Sequence, residues 1–156
     1  MEEERLLTVM ATRVEVPALV QRSRWPVHVT IAGNFRVDDA HTVEVSALLE
    51  SVANDIAAFD VKLGPKDRFG TERNIAVLLA EHSAFHSLHE SLAAGLKQIP
   101  GFAAAESPFW ESGYRPHATL GPAVSVRDGD SLSVRTLTLV SLHGNTGQRV
   151  SAVELD

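Results

Sequence analysis

Val27-His28-Val29-Thr30-Ile31 and, in the second half of the chain, Arg115-Pro116-His117-Ala118-Thr119-Leu120 carry the same His-x-Thr-apolar pattern. In an extended strand successive side chains point to opposite faces, so His28 and Thr30 project together while Val27, Val29 and Ile31 line the other face. In the second copy His117 and Thr119 project together, Ala118 and Leu120 point inward, and Gly121-Pro122 closes the strand. One such strand is an ordinary way to finish a half-solvated sheet. With seven histidines in the chain, chance supplies about 0.4 His-x-Thr triplets, so two copies in matching context point to a shared task.

Two strands of this kind facing one another would set two imidazoles and two hydroxyls around one small volume. Transfer at a phosphodiester needs a base for the proton of the attacking oxygen and an acid for the departing oxygen, and histidine does either near neutral pH. Threonine hydroxyls donate to non-bridging phosphate oxygens without adding a further titrating group. Arg115 lies two residues before His117 on the same strand face, a place from which it would reach a phosphate or a substrate carbonyl.

With Tyr114 ahead of Arg115, the two segments resemble the twin motifs of the two-histidine (2H) phosphoesterase superfamily, which includes bacterial 2′-5′ RNA ligase-like proteins and cyclic phosphodiesterases. The order of elements is similar along nearly the whole chain, and the two motifs are its specific part. The resemblance implies His28 and His117 as the catalytic pair and Thr30 and Thr119 as the phosphate-binding hydroxyls. The expected activity is that of a metal-independent phosphoesterase without a cofactor, acting on a 2′,3′-cyclic phosphate or a related nucleotide or RNA-end phosphodiester. Run backwards with an alcohol nucleophile, the same acid and base make a 2′-5′ ligase. The alternative is a non-catalytic nucleotide- or RNA-end-binding module on the same scaffold. Its mark would be loss of a motif histidine, and both are present.

Composition is that of one domain spanning 1–156 without a linker: 44% hydrophobic residues in a chain of this length suffice to bury roughly 70% of the unfolded surface. The absence of cysteine excludes a disulfide framework and thiolate metal sites. The start, Met1-Glu2-Glu3-Glu4-Arg5, is acidic where a secretory signal would be basic, and no apolar run approaches the roughly 20 residues of a membrane span. A cytoplasmic monomer is the expectation. A net charge of −6 argues against gripping duplex nucleic acid by many phosphate contacts. A small anionic substrate suits it better, because cations gather near the motifs: Arg22, Arg24 and Arg36 around the first, Arg115 before the second, and Lys66, Arg68 and Arg73 in a loop.

Leu6 to Ala11 reads as a strand and Pro17 to Arg22 as a short helix. After the first motif, Asp38 and Asp39 offer N-cap carboxylates to a helix whose Val45, Leu48, Leu49, Val52 and Ile56 form one core-facing stripe. Phe59 to Leu63 and Ile75 to Ala80 read as strands, the second central in its sheet. The glycine-punctuated basic loop of residues 64–74 between them is a candidate substrate flap. A second helix buries Phe85, Leu88, Leu92, Leu96 and Ile99 and stops at Pro100-Gly101; residues 102–113 form an irregular connection. Leu132 to Leu142 and Val150 to Leu155 make a hairpin across Gly144-Asn145-Thr146-Gly147, with a bulge expected at Arg135-Thr136 where the alternation changes phase. The sum is an α+β fold of two similar lobes, each a short antiparallel sheet with a helix on its outer face, and a cleft between them holding the motifs.

His82, His86 and His89 share a helical arc of about 60°. With no glutamate after His82 to act as a base, the arc reads as a solvated helix flank rather than a metal site. Aromatic residues are scarce, so Trp25, Phe35, Phe69, Trp110 and Tyr114 are candidate base-stacking platforms. Phe35 and Tyr114, beside the motif strands, are preferred. Arg115, Tyr114, Phe35, Arg73 and Phe69 thus make up the expected substrate-binding set.

Overall fold

A computed structural model describes residues 5–121 and 124–156; residues 1–4 of the acidic start and Pro122 of the strand-closing pair lie outside them. The elements run β1 (Leu6–Thr12), β2 (Leu19–Gln21), β3 (His28–Arg36), α1 (Thr42–Ala53), β4 (Phe59–Lys62), β5 (Lys66–Phe69), β6 (Ile75–Leu79), α2 (Ser83–Leu96), β7 (Ala103–Ala104), β8 (His117–Thr119), β9 (Ser131–Val134), β10 (Thr136–His143) and β11 (Thr146–Glu154). The fold is α+β with antiparallel sheets in two lobes. The lobes are unequal: one is a six-stranded sheet in the order β2-β11-β10-β1-β3-β7, and the other consists of the three-stranded β5-β6-β8 and the pair β4-β9.

β1 is buried on both faces between β10 and β3. Its Leu7, Val9 and Ala11 join Val29, Ile31 and Phe35 of β3 in a core completed by Val45 and Leu49 of α1 and by Phe85, Leu88 and Leu92 of α2. Met10 points the other way, into a smaller cluster with Val16, Val20, Val140 and Leu142, against which Trp25 packs. Cross-strand partners share a face. Since Thr30 pairs with Met10 and His28 with Thr12, the motif side chains face away from the helices. In the other lobe Ala118 and Leu78 pair and enter the main core, while His117 pairs with Leu79 and Thr119 with Val77 on the opposite face.

The register of β3 against β1 slips twice, from Met10↔Thr30 to Val9↔Ala32 and then to Leu7↔Phe35, with Asn34 at a positive φ of 41°. One slip would turn every later side chain to the other face; the second restores the alternation and returns Phe35 to the core side.

Several elements differ from the sequence reading. Pro17 to Arg22 is not a helix: β2 adds to the edge of β11, with Val20 buried between exposed Leu19 and Gln21, and a 3-10 turn over Arg22–Arg24 follows. The loop of residues 64–74 contains β5, which pairs with β6 from Lys66↔Leu78 to Phe69↔Ile75. Asp38 and Asp39 do not cap α1, which is entered through a 3-10 turn over Asp39–His41. At Arg135 the chain changes sheets: Val134 still pairs with Phe59, and Thr136 already pairs with Thr12. The true slip in the last hairpin falls between Leu139 and Val140, and its loop is only Gly144-Asn145, because Thr146 and Gly147 already belong to β11.

Candidate active site

The two motif histidines are held in the same way. His28 Nδ1 lies 3.0 Å from the Pro26 carbonyl oxygen and His117 Nδ1 lies 2.8 Å from the Arg115 carbonyl oxygen, each two residues upstream on the chain. A carbonyl only accepts, so in both rings Nδ1 carries the hydrogen and Nε2 is the nitrogen left for chemistry. Burial holds His28 below its ordinary value of 6.5, against the Pro26 bond that favours its charged form, and the charge of His117 lowers it further. Burial likewise depresses His117, opposed by its bond to the Arg115 carbonyl and helped by the Arg115 guanidinium. The influence of one imidazole on the other follows from β3 and β8, strands of different sheets, lying against each other.

Thr30 follows His28 on the same face, with Gly33 leaving room beside it: a Cβ at position 33 would sit 3.2 Å from Thr30 Cγ2. Thr119 is exposed at the end of β8. Among the described residues, neither hydroxyl is taken up by another protein group.

Each imidazole also has an aromatic neighbour. The Trp25 ring centroid is 5.2 Å from that of His28, and the Phe69 ring meets His117 edge-on at 4.5 Å. The Arg115 guanidinium lies 4.8 Å from the Phe69 centroid and 3.4 Å from Asp67 Oδ2, and Arg73 Nη2 is 3.8 Å from the other Asp67 oxygen. Asp67 is thereby held below the ordinary carboxylate range, first by the Arg68 backbone N–H and then by Arg115 and Arg73. The hairpin β5–β6 thus sets Phe69 beside His117 with Arg115 over its ring, and Arg73 joins the group through Asp67. Asp67 was not singled out in the sequence; its one signal was an acidic residue between Lys66 and Arg68.

Three expected platforms are not available to a base: Trp110, buried with its indole N–H on the Gly33 carbonyl, and the two preferred ones. Phe35 is fully buried, packed against Phe102 and Trp110 with centroids 6.0 Å away in each case. It lies within β3, and the double slip aims it at the core. Tyr114 is also buried: its hydroxyl donates to the Thr30 carbonyl at 2.9 Å, and its ring stacks on His89 at 4.1 Å. Burial raises its pKa far above the phenolic range, so it remains a neutral donor.

The three helix histidines have separate tasks. His82 caps α2, its Nδ1 accepting from the Ala84 N–H at 3.0 Å. His86 pairs with Glu81 at 3.1 Å. His89 is not on a solvated flank but 1% exposed. The signal was present, since Phe85, Leu88, His89, Leu92 and Leu96 keep the helical spacing of a buried stripe.

A sequence profile described as the 2′-5′ RNA ligase superfamily matches residues 6–140. A search of the curated proteins finds no match. Among solved structures, TT0787 of Thermus thermophilus is similar over 96% of this chain and 97% of its own, with a TM-score of 0.63 and 18% identity. E. coli LigT complexed with NADP+ covers 98% and 99%, with a TM-score of 0.59 and 16% identity. E. coli LigT complexed with 3′-AMP covers the same shares, with a TM-score of 0.53 and 17% identity. At these identities the likeness is one of fold. The profile match spans most of the chain, from the strand before the first motif to β10 beyond the second: this protein belongs to the 2′-5′ RNA ligase superfamily.

Proposed function

We propose that the chain is a metal-independent phosphoesterase that opens 2′,3′-cyclic phosphates or cleaves related nucleotide or RNA-end phosphodiesters. The observation that carries this reading is the matched pair of imidazoles, each fixed through Nδ1 to a carbonyl two residues upstream with Nε2 left for proton transfer. One Nε2 takes the proton of a water attacking phosphorus. The other gives a proton to the ribose oxygen as its bond to phosphorus breaks, and the product is a phosphomonoester. Thr30 and Thr119 donate to the non-bridging oxygens, on which charge builds in the transition state. Arg115 and Arg73, steadied by Asp67, face the anionic substrate, and Phe69 offers an apolar wall beside His117. A nucleotide substrate class is supported by the fold neighbour LigT, whose structures hold 3′-AMP, NADP+ and ATP.

The test is a panel of 2′,3′-cyclic nucleotides, cyclic-phosphate RNA ends and 2′-5′ dinucleotides, assayed with a chelator present and with product regiochemistry assigned. Turnover is expected on at least one class, falling about 10²- to 10⁴-fold in His28→Ala and in His117→Ala. Nucleotide binding without turnover of any member would establish the binding-module alternative. Turnover lost on chelation and restored by a metal would overturn metal independence.

A further inference from the structure

From Thr30 to Gly33 the edge of β3 turned away from β1 has no strand paired with it among the described residues, because β7 pairs only with Phe35 and Arg36. Exposed strand carbonyls need partners. Here side chains from α2 and from the segment leading into the second motif supply them. The Tyr114 hydroxyl donates to the Thr30 carbonyl at 2.9 Å, the His89 Nδ1–H donates to the Ile31 carbonyl at 2.7 Å, and Trp110 Nε1 donates to the Gly33 carbonyl at 3.1 Å. His89 Nε2 in turn accepts the Glu111 N–H at 2.8 Å, so both ring nitrogens are used and the ring is neutral with its hydrogen on Nδ1. Burial favours the same neutral form. The His89 and Tyr114 rings lie parallel, 4° apart in plane.

Resting on the phosphoesterase reading above, we propose that His89 and Tyr114 are positioning residues that set the distance and orientation between the two motif imidazoles. Tyr114 is three residues before His117, and its hydroxyl bonds the carbonyl of the threonine in the other motif. His89 holds the next carbonyl of that same strand and, through the Glu111 N–H, the segment from which Tyr114 extends. The pair ties β3 to the approach of β8, two strands that belong to different sheets. Neither residue touches the reacting atoms. Their effect is on geometry, where a displacement of about 1 Å costs on the order of 10²-fold in rate.

The test has a readout that needs no turnover. The imidazoles of His28 and His117 are titrated by NMR in the intact chain, and the effect of His117→Ala on the His28 titration is measured with and without Tyr114→Phe, which keeps the stacked ring and removes only the hydroxyl. The expected result is that the His28 midpoint responds to His117→Ala in the wild-type background and responds less in Tyr114→Phe. In catalysis Tyr114→Phe lowers kcat about tenfold or more with KM little changed. His89→Gln, which keeps one donor and one acceptor on the side chain, retains more of kcat than His89→Ala. Coupling and kcat both unchanged in Tyr114→Phe would overturn the proposal, as would equal loss in His89→Gln and His89→Ala in folded protein. If no substrate turns over, the titration still decides the positioning role, so failure of the phosphoesterase reading is seen separately.

Discussion

Both motif imidazoles are held below their ordinary pKa by burial, so the unliganded site near pH 7 contains two neutral rings. The proposed reaction calls for one neutral and one charged. A depressed pKa removes the protonated acid at lower pH than usual, so kcat/KM should be bell-shaped with its alkaline limb below pH 6.5. The limbs belong to the pair rather than to either ring, since the charge of His117 bears on His28. Arg115→Ala removes a positive charge that lowers His117, and the pH-rate profile should move upward in pH whatever happens to affinity. A profile flat through this range, or one that stays in place in Arg115→Ala, would contradict this account of the electrostatics. At this scale the alternation of His28 with Thr30 and of His117 with Thr119 was readable in the sequence, because strand periodicity alone sets which side chains share a face. His89 and Tyr114 were not: their partners, Ile31, Glu111 and Thr30, are brought to them only by tertiary packing.

Among the elements, β5 illustrates what a pattern cannot reveal. Lys66-Asp67-Arg68-Phe69 has little apolar alternation of its own, and it becomes a strand by pairing with the apolar β6. The consequence is chemical, because a paired strand holds Asp67 and Phe69 in fixed places that a free loop would not. Phe69→Ala should raise KM and lower kcat, since it removes both the edge packed on His117 and the surface under Arg115. With Phe69 only half-buried, thermal stability should change far less than in Phe35→Ala, which empties a core site and costs about 3–5 kcal/mol. Steady-state kinetics and urea unfolding of the two variants check this. Equal destabilisation would place Phe69 in the core instead. The helices were legible for the opposite reason: their apolar stripes are long and keep one period, so Val45, Leu49 and Val52, and Phe85, Leu88, Leu92 and Leu96, were found as core faces. The phase change at Arg135 was visible as well. That it marks a crossing between sheets rather than a bulge depends on β4 and β1, which lie far away in sequence.

Across the whole molecule, the main core joins all three sheets and both helices, so the charge state of the histidines packed against its elements bears on the entire fold. His28, His89 and His117 all have pKa values lowered from 6.5, with burial the largest cause in each. The unfolded chain therefore binds protons more readily than the folded one. Stability from this source is complete above pH 6.5 and is lost as pH falls from there through the folded values. An oxyanion bound between His28 and His117 would oppose this loss, because it favours the charged rings and raises their pKa values. By linkage, anion binding then takes up protons and tightens as pH falls. Sulfate is the suitable probe, since its own charge does not change in this range. A fixed sulfate concentration should raise Tm more at about pH 5.5 than at about pH 8, where the imidazoles must be charged at their own cost. General salt stabilisation acts at both pH values, and the difference between the two isolates the site. The same difference should vanish in the double variant His28→Ala with His117→Ala. Equal Tm increments at the two pH values in the wild-type chain, or an undiminished difference in the double variant, would show that these imidazoles do not bind an oxyanion together.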